Sequence, residues 1–322
     1  MHFTLLLDSK TTRTLGLIHQ DWWCRPNYIS EADEKESGKW PDASYFCRQR
    51  LGDTMARVIS ACDREADILS YLQDKQQHKE RFVVRAKHLR KIVGTDEKLF
   101  EHLVEQPKLG SYTIHTPQKS MINSKGKPVN RASRTAQLSV RVAQVIFNVK
   151  TTIEPINVVY AEEVNADGKS EALRWVLLTS EPVETLKDAL HIIDIYTARW
   201  RIEDFHKAWK TGAGAERQRM TEPDNLERAV SILSFIGVRL LQLREVMSLS
   251  LYLRKKGLID EAIGMENQSC DKVLEEDEWK VLQQHYKVKG HDGKSAPSMK
   301  WAYISIAKLG GFTDSKRNVG CR

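Results

Sequence analysis

With 322 residues the chain is long enough to bury a large core, in one domain or two. Its 50 Lys and Arg against 43 Asp and Glu leave a net charge of +7, a modest excess compatible with a nucleic-acid partner. No apolar run approaches a membrane span and the first residues lack the layout of a signal peptide, so the expected protein is soluble, cytoplasmic and without a membrane partner. Cys24, Cys47, Cys62, Cys270 and Cys321 are scattered with no close pair at metal-ligand spacing, which argues against a disulfide scaffold and for reduced thiols.

The chain opens with two β-rich runs, 3–7 and 12–19, separated by Asp8-Ser9-Lys10, a hairpin pattern. Residues 20–42 are loop-like, with Trp22, Trp23 and Trp40 read as packing residues and an acidic cluster at 31–36. A helix is expected over 43–52, then a short buried strand over 56–62, then a helix over 64–72. Asp63 therefore stands where a strand hands over to a helix, the edge at which sites in α/β sheets gather. An Asp there is also a good helix N-cap, and both readings stand. Asp67, one turn further on, reads as a solvated helix acid.

Residues 81–86 read as another strand, continued by the basic run Lys87-His88-Leu89-Arg90-Lys91. From about 110 to 180 the pattern changes to short alternating runs (SYTIH, AQLSVRVAQVIF, INVVYAEEV, RWVLLTS), the mark of an antiparallel β segment. The basic stretch 125–134 between two of these runs reads as a solvated hairpin tip. Residues 188–219 read as one helix, then 225–247 as a long apolar helix, with Gly212 and Gly214 between them. The remainder, 248–322, reads as helical but choppy, with a loop over 287–298.

The 188–219 stretch organises the chain. As a continuous helix it puts Tyr196, Arg199, Glu203 and Lys210 within an arc of roughly 60°, beside a stripe of Ile195, Ile202, Phe205 and Trp209 that should be buried. A carboxylate fixed among cations suits a hydrated divalent metal next to a phosphate, although a charged solvent face has the same spacing.

Tyr-x-x-Arg-x-x-x-Glu-x-x-x-x-x-x-Lys resembles the YREK signature of bacterial insertion-sequence transposases with DDE chemistry and an RNase H-like fold. The likeness extends through HQDWW, DEKESGKW, CDREADI, ERFVVRAKH, LLTSEPVE, EPDNLER and LGGFTDSKR, over nearly the whole chain. The resemblance implies a mixed α/β RNase H-like core lacking its first strand, with an antiparallel β insertion and a helical C-terminal part. The implied divisions are 1–90 and 183–247 for the core, 91–182 for the insertion and 248–322 for the helices.

For the site, the resemblance implies that Asp63 and Glu203 are catalytic metal ligands for Mg²⁺, with Mn²⁺ as a substitute, and that the partner is double-stranded DNA at transposon ends. Tyr196, Arg199 and Lys210 match the family's phosphate-gripping residues, and Arg85, Lys87 and Arg90 its other basic group, unless these last three are simply an exposed strand end. Trp175 matches the tryptophan that steadies a flipped base; a half-buried sheet aromatic is the alternative. The family's first aspartate, its end-reading domain and its dimerising C-terminal helices have no counterpart in these residues. The resemblance therefore implies a truncated copy, inactive by itself. The rival expectation is a non-catalytic DNA-binding or interfering fragment.

Overall fold

The computed structural model describes residues 1–23, 38–116, 119–122, 128–131, 133–149, 153–164, 172–288 and 292–310. The acidic cluster at 31–36, Cys24, Cys321, residues 125–127 and 132 of the basic stretch 125–134, and the end of LGGFTDSKR lie outside the described residues.

The chain begins with the expected hairpin, β1 (His2–Leu7) and β2 (Thr14–Asp21). Helix α1 (Lys39–Leu51) leads to strand β3 (Ile59–Cys62), helix α2 (Leu69–Gln77) and strand β4 (Arg81–Arg85). Helix α3 (Leu99–Glu105) precedes strands β5 (Gly110–Thr116), β6 (Lys119–Ile122), β7 (Pro128–Arg131), β8 (Arg134–Val145), β9 (Ile156–Glu163) and β10 (Arg174–Thr179). The rest is helical: α4 (Leu186–Ala198), α5 (Arg201–Lys207), α6 (Pro223–Lys255), α7 (Ile259–Glu266), α8 (Glu276–His285) and α9 (Met299–Leu309). Mixed α/β architecture with a helical C-terminal part is therefore what the chain adopts.

These elements form two compact units. One holds His2 with Arg25–Trp200, the other Met1, Phe3–Cys24 and Arg201–Arg322. In the first, six strands make one mixed sheet in the order β3-β4-β10-β9-β8-β5, in which β3 and β4 run parallel and the other neighbours antiparallel. Strands β5 and β8–β10, from the alternating region, are thus continuous with β3 and β4. Because successive side chains point to opposite faces, the β4 run Phe82-Val83-Val84 feeds two cores. Phe82, Val84, Tyr160 and Leu178 pack on one face with Tyr71, Leu72, Leu99 and Leu103, whereas Val83, Val159, Ala161 and Leu177 pack on the other with Ala189, Ile192, Ile193 and Tyr196 of α4. Trp40 packs into the first core as expected.

In the second unit the β1–β2 hairpin lies on α6, and Phe3, Trp22, Phe205, Trp209, Val230, Val238 and Leu241 form an aromatic-rich core. A further cluster, with Leu243, Val246, Cys270, Trp279 and Met299, joins α6 to α8 and α9. Glu245 of α6 is buried and accepts from Thr14 N–H (2.9 Å) and Thr14 Oγ1 (2.7 Å), with Arg201 Nε 3.5 Å away. A buried carboxylate needs such partners.

Two expectations fail. The helix expected over 64–72 is instead a 3₁₀ turn (Arg64–Ala66) followed by α2, with Asp67 and Ile68 non-helical between them. Asp67 leaves the helical path because its carboxylate and carbonyl both bind Arg90 and the chain beside it. Nor is 188–219 one helix. Arg199 N–H and Trp200 N–H bond back three residues, to Tyr196 O (3.2 Å) and Thr197 O (3.1 Å), and α4 ends there. After α5, residues Ala208–Gly212 form a π turn, closed by Ala213 N–H on Ala208 O at 2.7 Å. An i→i+5 bond advances the chain less per residue than an α turn does, so the continuous 100° count that placed Lys210 on the Tyr196 face does not apply. Of the expected stripe, Phe205 and Trp209 are buried, while Ile195 and Ile202 are half-buried.

Candidate functional site

In the sheet unit the site residues converge by strand register. The parallel pair β3 and β4 is aligned Cys62 with Val84, so Asp63 and Arg85 emerge side by side at the carboxyl edge of these strands. Strand β10 runs against β4 with Leu177 opposite Arg85, which sets Trp175 diagonally beyond Arg85. By alternation Asp63, Arg85 and Trp175 continue the α4 face of the sheet, on which Ile59, Val83 and Leu177 pack. Arg85 donates from Nη2 to Arg174 O at 2.9 Å, and Lys87, two residues on, is exposed.

Helix α4 brings the other partners to that face. Tyr196 is 3% exposed, so its ring belongs to the core and not to the surface the sequence reading gave it. The Trp175 ring lies 6.5 Å from it, and the Arg199 guanidinium stands 5.7 Å above it and 5.6 Å from the Trp200 ring. Contacts of this kind stiffen a guanidinium. Arg199 also reaches β3 electrostatically: burial pushes the Cys62 thiol up, Lys75 and Arg199 pull it down, and Asp63 adds to the rise.

Asp63 is half-buried and serves as N-cap of the 3₁₀ turn, with Oδ1 accepting from Glu65 N–H at 2.9 Å. The cap thus exists, but it engages one oxygen, and a carboxylate has several acceptor directions left. Arg90 departs most from expectation. Its guanidinium is ion-paired with buried Asp67 and lies 5.2 Å from the Phe147 ring, so it is not a free cation of the surface.

In the helical unit Glu203 is exposed in the first turn of α5, and Lys210 sits in the π turn with its Nζ 3.7 Å from Glu216. His206 lies between them in sequence. Its imidazole is held below the ordinary value, first by burial, with Lys210 adding to the fall and Glu203 opposing it. Sequence reading missed His206, although its spacing of three from Glu203 and four from Lys210 signals a shared helix face. It also missed Asp67, whose position between apolar Ala66 and Ile68 was the available clue.

Asp8 closes the hairpin turn. It accepts from Lys10 N–H (3.1 Å), Thr11 N–H (2.7 Å) and Thr11 Oγ1 (2.7 Å), and the Thr11 hydroxyl leads in holding its carboxyl below the usual value. It is a turn former. Among the described residues no group of three or more His, Cys, Asp or Glu side chains could hold a metal ion. Asp63 and Glu203 belong to different units, one carboxylate from each. Each suits a hard, oxygen-seeking cation in kind, but one acid is far from a complete donor set.

Among the described residues no helix is long and apolar enough to cross a membrane. The sequence model of the family described as "Transposase DDE domain" matches residues 44–236, more than half of the 322, and the matched span contains every site residue named above except Asp8.

Proposed function

The chain belongs to the transposase DDE domain family, and on that premise we propose that it acts on double-stranded DNA at transposon ends, within the cut-and-paste branch that carries the YREK signature. The quoted runs resemble the transposase of the kanamycin-resistance composite transposon, which supports this reading. Members of the family normally use a divalent metal; here Asp63 and Glu203 would be the carboxylates that hold Mg²⁺ or Mn²⁺, whose chemistry is to polarise the scissile phosphate and activate the attacking oxygen. Arg199 and Lys210 grip backbone phosphates, the first as a planar fork and the second as a point charge. Arg85 and Lys87 extend this contact along the sheet edge. Trp175 offers an aromatic face to an unstacked base.

The observation that carries the reading is the convergence at the carboxyl edge of β3 and β4: an acid, a cation and a ring on one face, with Arg199 braced on Tyr196 beside them. A second reading, a DNA-binding or interfering polypeptide without cleavage activity, is supported by the donor count, since the resemblance assigns two carboxylates and no third. Homodimerisation and a cytoplasmic location belong to the proposal as properties of the family.

Binding is tested by titrating labelled duplexes of unrelated sequence at several salt concentrations. Weak binding that falls steeply with salt is expected, and Arg199→Ala with Lys210→Ala should weaken all duplexes alike. Affinity indifferent to salt would reject the proposal. Cleavage is tested by release of a labelled, pre-nicked transposon end in Mg²⁺ or Mn²⁺. No product is expected from these 322 residues alone; product abolished by Glu203→Gln would reject the second reading in favour of an active enzyme.

A further inference from the structure

Asp67 has no part in the transposase reading, yet it is 0% exposed. Its Oδ2 accepts from Lys87 N–H at 2.6 Å and His88 N–H at 2.9 Å, while Oδ1 receives the Arg90 guanidinium. The Asp67 carbonyl accepts a second Arg90 donor, Nη2, at 2.9 Å. Beyond the turn, Arg90 O accepts from Leu99 N–H at 2.9 Å, which ties the far end to α3. A carboxylate removed from water is met here by two backbone donors and a cation, an arrangement that tolerates little movement.

The segment 87–90 is thereby pegged from beneath at three of its four residues, and Lys87 and His88 are exposed above the peg. We propose that Asp67 is a positioning residue that preforms this turn as a phosphate contact, with Lys87 touching the DNA and Arg90 acting through Asp67 and not on phosphate. The inference deepens the DNA-binding proposal and rests on it for the identity of the ligand. Its physical basis is preorganisation: a flexible basic loop loses conformational freedom on binding, and a pegged one has already lost it. Charge bookkeeping separates the two cations. A cation that neutralises a phosphate releases a counterion and adds about 0.9 to the log–log salt slope; a cation already neutralised by a buried acid adds none.

The experiment measures salt slopes for a short duplex together with amide hydrogen exchange at Lys87 and His88. Lys87→Ala should reduce the slope by about 0.9 and leave exchange at His88 unchanged. Arg90→Ala should lower affinity about three- to tenfold, keep the slope, and speed exchange at both amides. Asp67→Asn should do the same, and the double variant should lose no more than the larger single loss. If Asp67→Asn fails to fold, the Arg90→Ala slope and exchange decide alone. A slope reduced by Arg90→Ala as much as by Lys87→Ala, with exchange unchanged, overturns the proposal. Absent or salt-independent binding by the unmodified chain would reject the DNA reading; exchange in Arg90→Ala would still decide the peg, faster supporting it and unchanged rejecting it.

Discussion

In the sheet unit, burial follows the pleat: small aliphatic side chains such as Val83, Val159 and Leu177 alternate with Phe82, Val158 and Leu178 and fill two faces of one sheet. In the helical unit, burial gathers around rings. Phe3 meets Phe205 at 5.1 Å, Trp209 at 5.1 Å and Trp22 at 5.4 Å between ring centroids, and Trp209 donates from Nε1 to Val230 O at 3.1 Å. The first core spreads its stability over many interchangeable contacts, whereas the second concentrates it in a few large ones. Period two therefore suffices to read the first from sequence. The second depends on how particular rings meet, which no period encodes.

Truncation tests the contrast most strongly. Trp209→Ala is expected to cost about 3–5 kcal/mol and Ile192→Val in the sheet unit about 0.5–1.5 kcal/mol, as measured by urea unfolding. Equal losses would break the comparison. A smaller effect sharpens it: a Cβ at Gly237 would stand 3.1 Å from Trp209 Cα, main chain that cannot swing aside. Gly237→Ala is thus expected to destabilise by about 1–3 kcal/mol despite its favourable helix propensity. A neutral or stabilised variant would show that the α6 packing against Trp209 is loose.

The smallest expected effect is a pH dependence. Burial raises the Glu266 carboxyl, but hydrogen bonds from Lys300, Ser250 and Arg254, with the Lys300 charge, outweigh it and hold it down to about 2. A depressed folded value contributes stability that is fully present above the unfolded value near 4.5 and is lost as pH falls toward about 2. Glu266→Gln should flatten stability across that acid window, and an unchanged profile would deny Glu266 the role.

The placement of several candidate residues was legible because they hang on strand ends. The register of β3 and β4 places Asp63 and Arg85 as the hydrophobic pattern implied, and Trp175 and Tyr196 lie together. What escaped was everything set by partners remote in sequence. Asp67 could not be read as buried without knowing that Arg90 and the Lys87 and His88 amides close over it. The break at Arg199 and the π turn over Ala208–Gly212 override a periodicity that looked uninterrupted, and Gly237 of α6 lies close against Trp209 in that turn. Propensity is local, and these are long-range effects.

The contact of Glu245 with Thr14 spans 231 positions of chain. On a ribosome, the hairpin of β1 and β2 emerges long before the α6 helix on which it packs, and all of Arg25–Trp200 is translated in between. All the described strands of the six-stranded sheet have been made by then, while the hairpin's apolar side waits uncovered for its helix. A two-stranded ribbon has little stability without a packing partner. Pausing of translation before residue 245 should thus lengthen the interval in which Phe3 and Trp22 attract chaperones, a vulnerability of vectorial synthesis that the finished fold conceals.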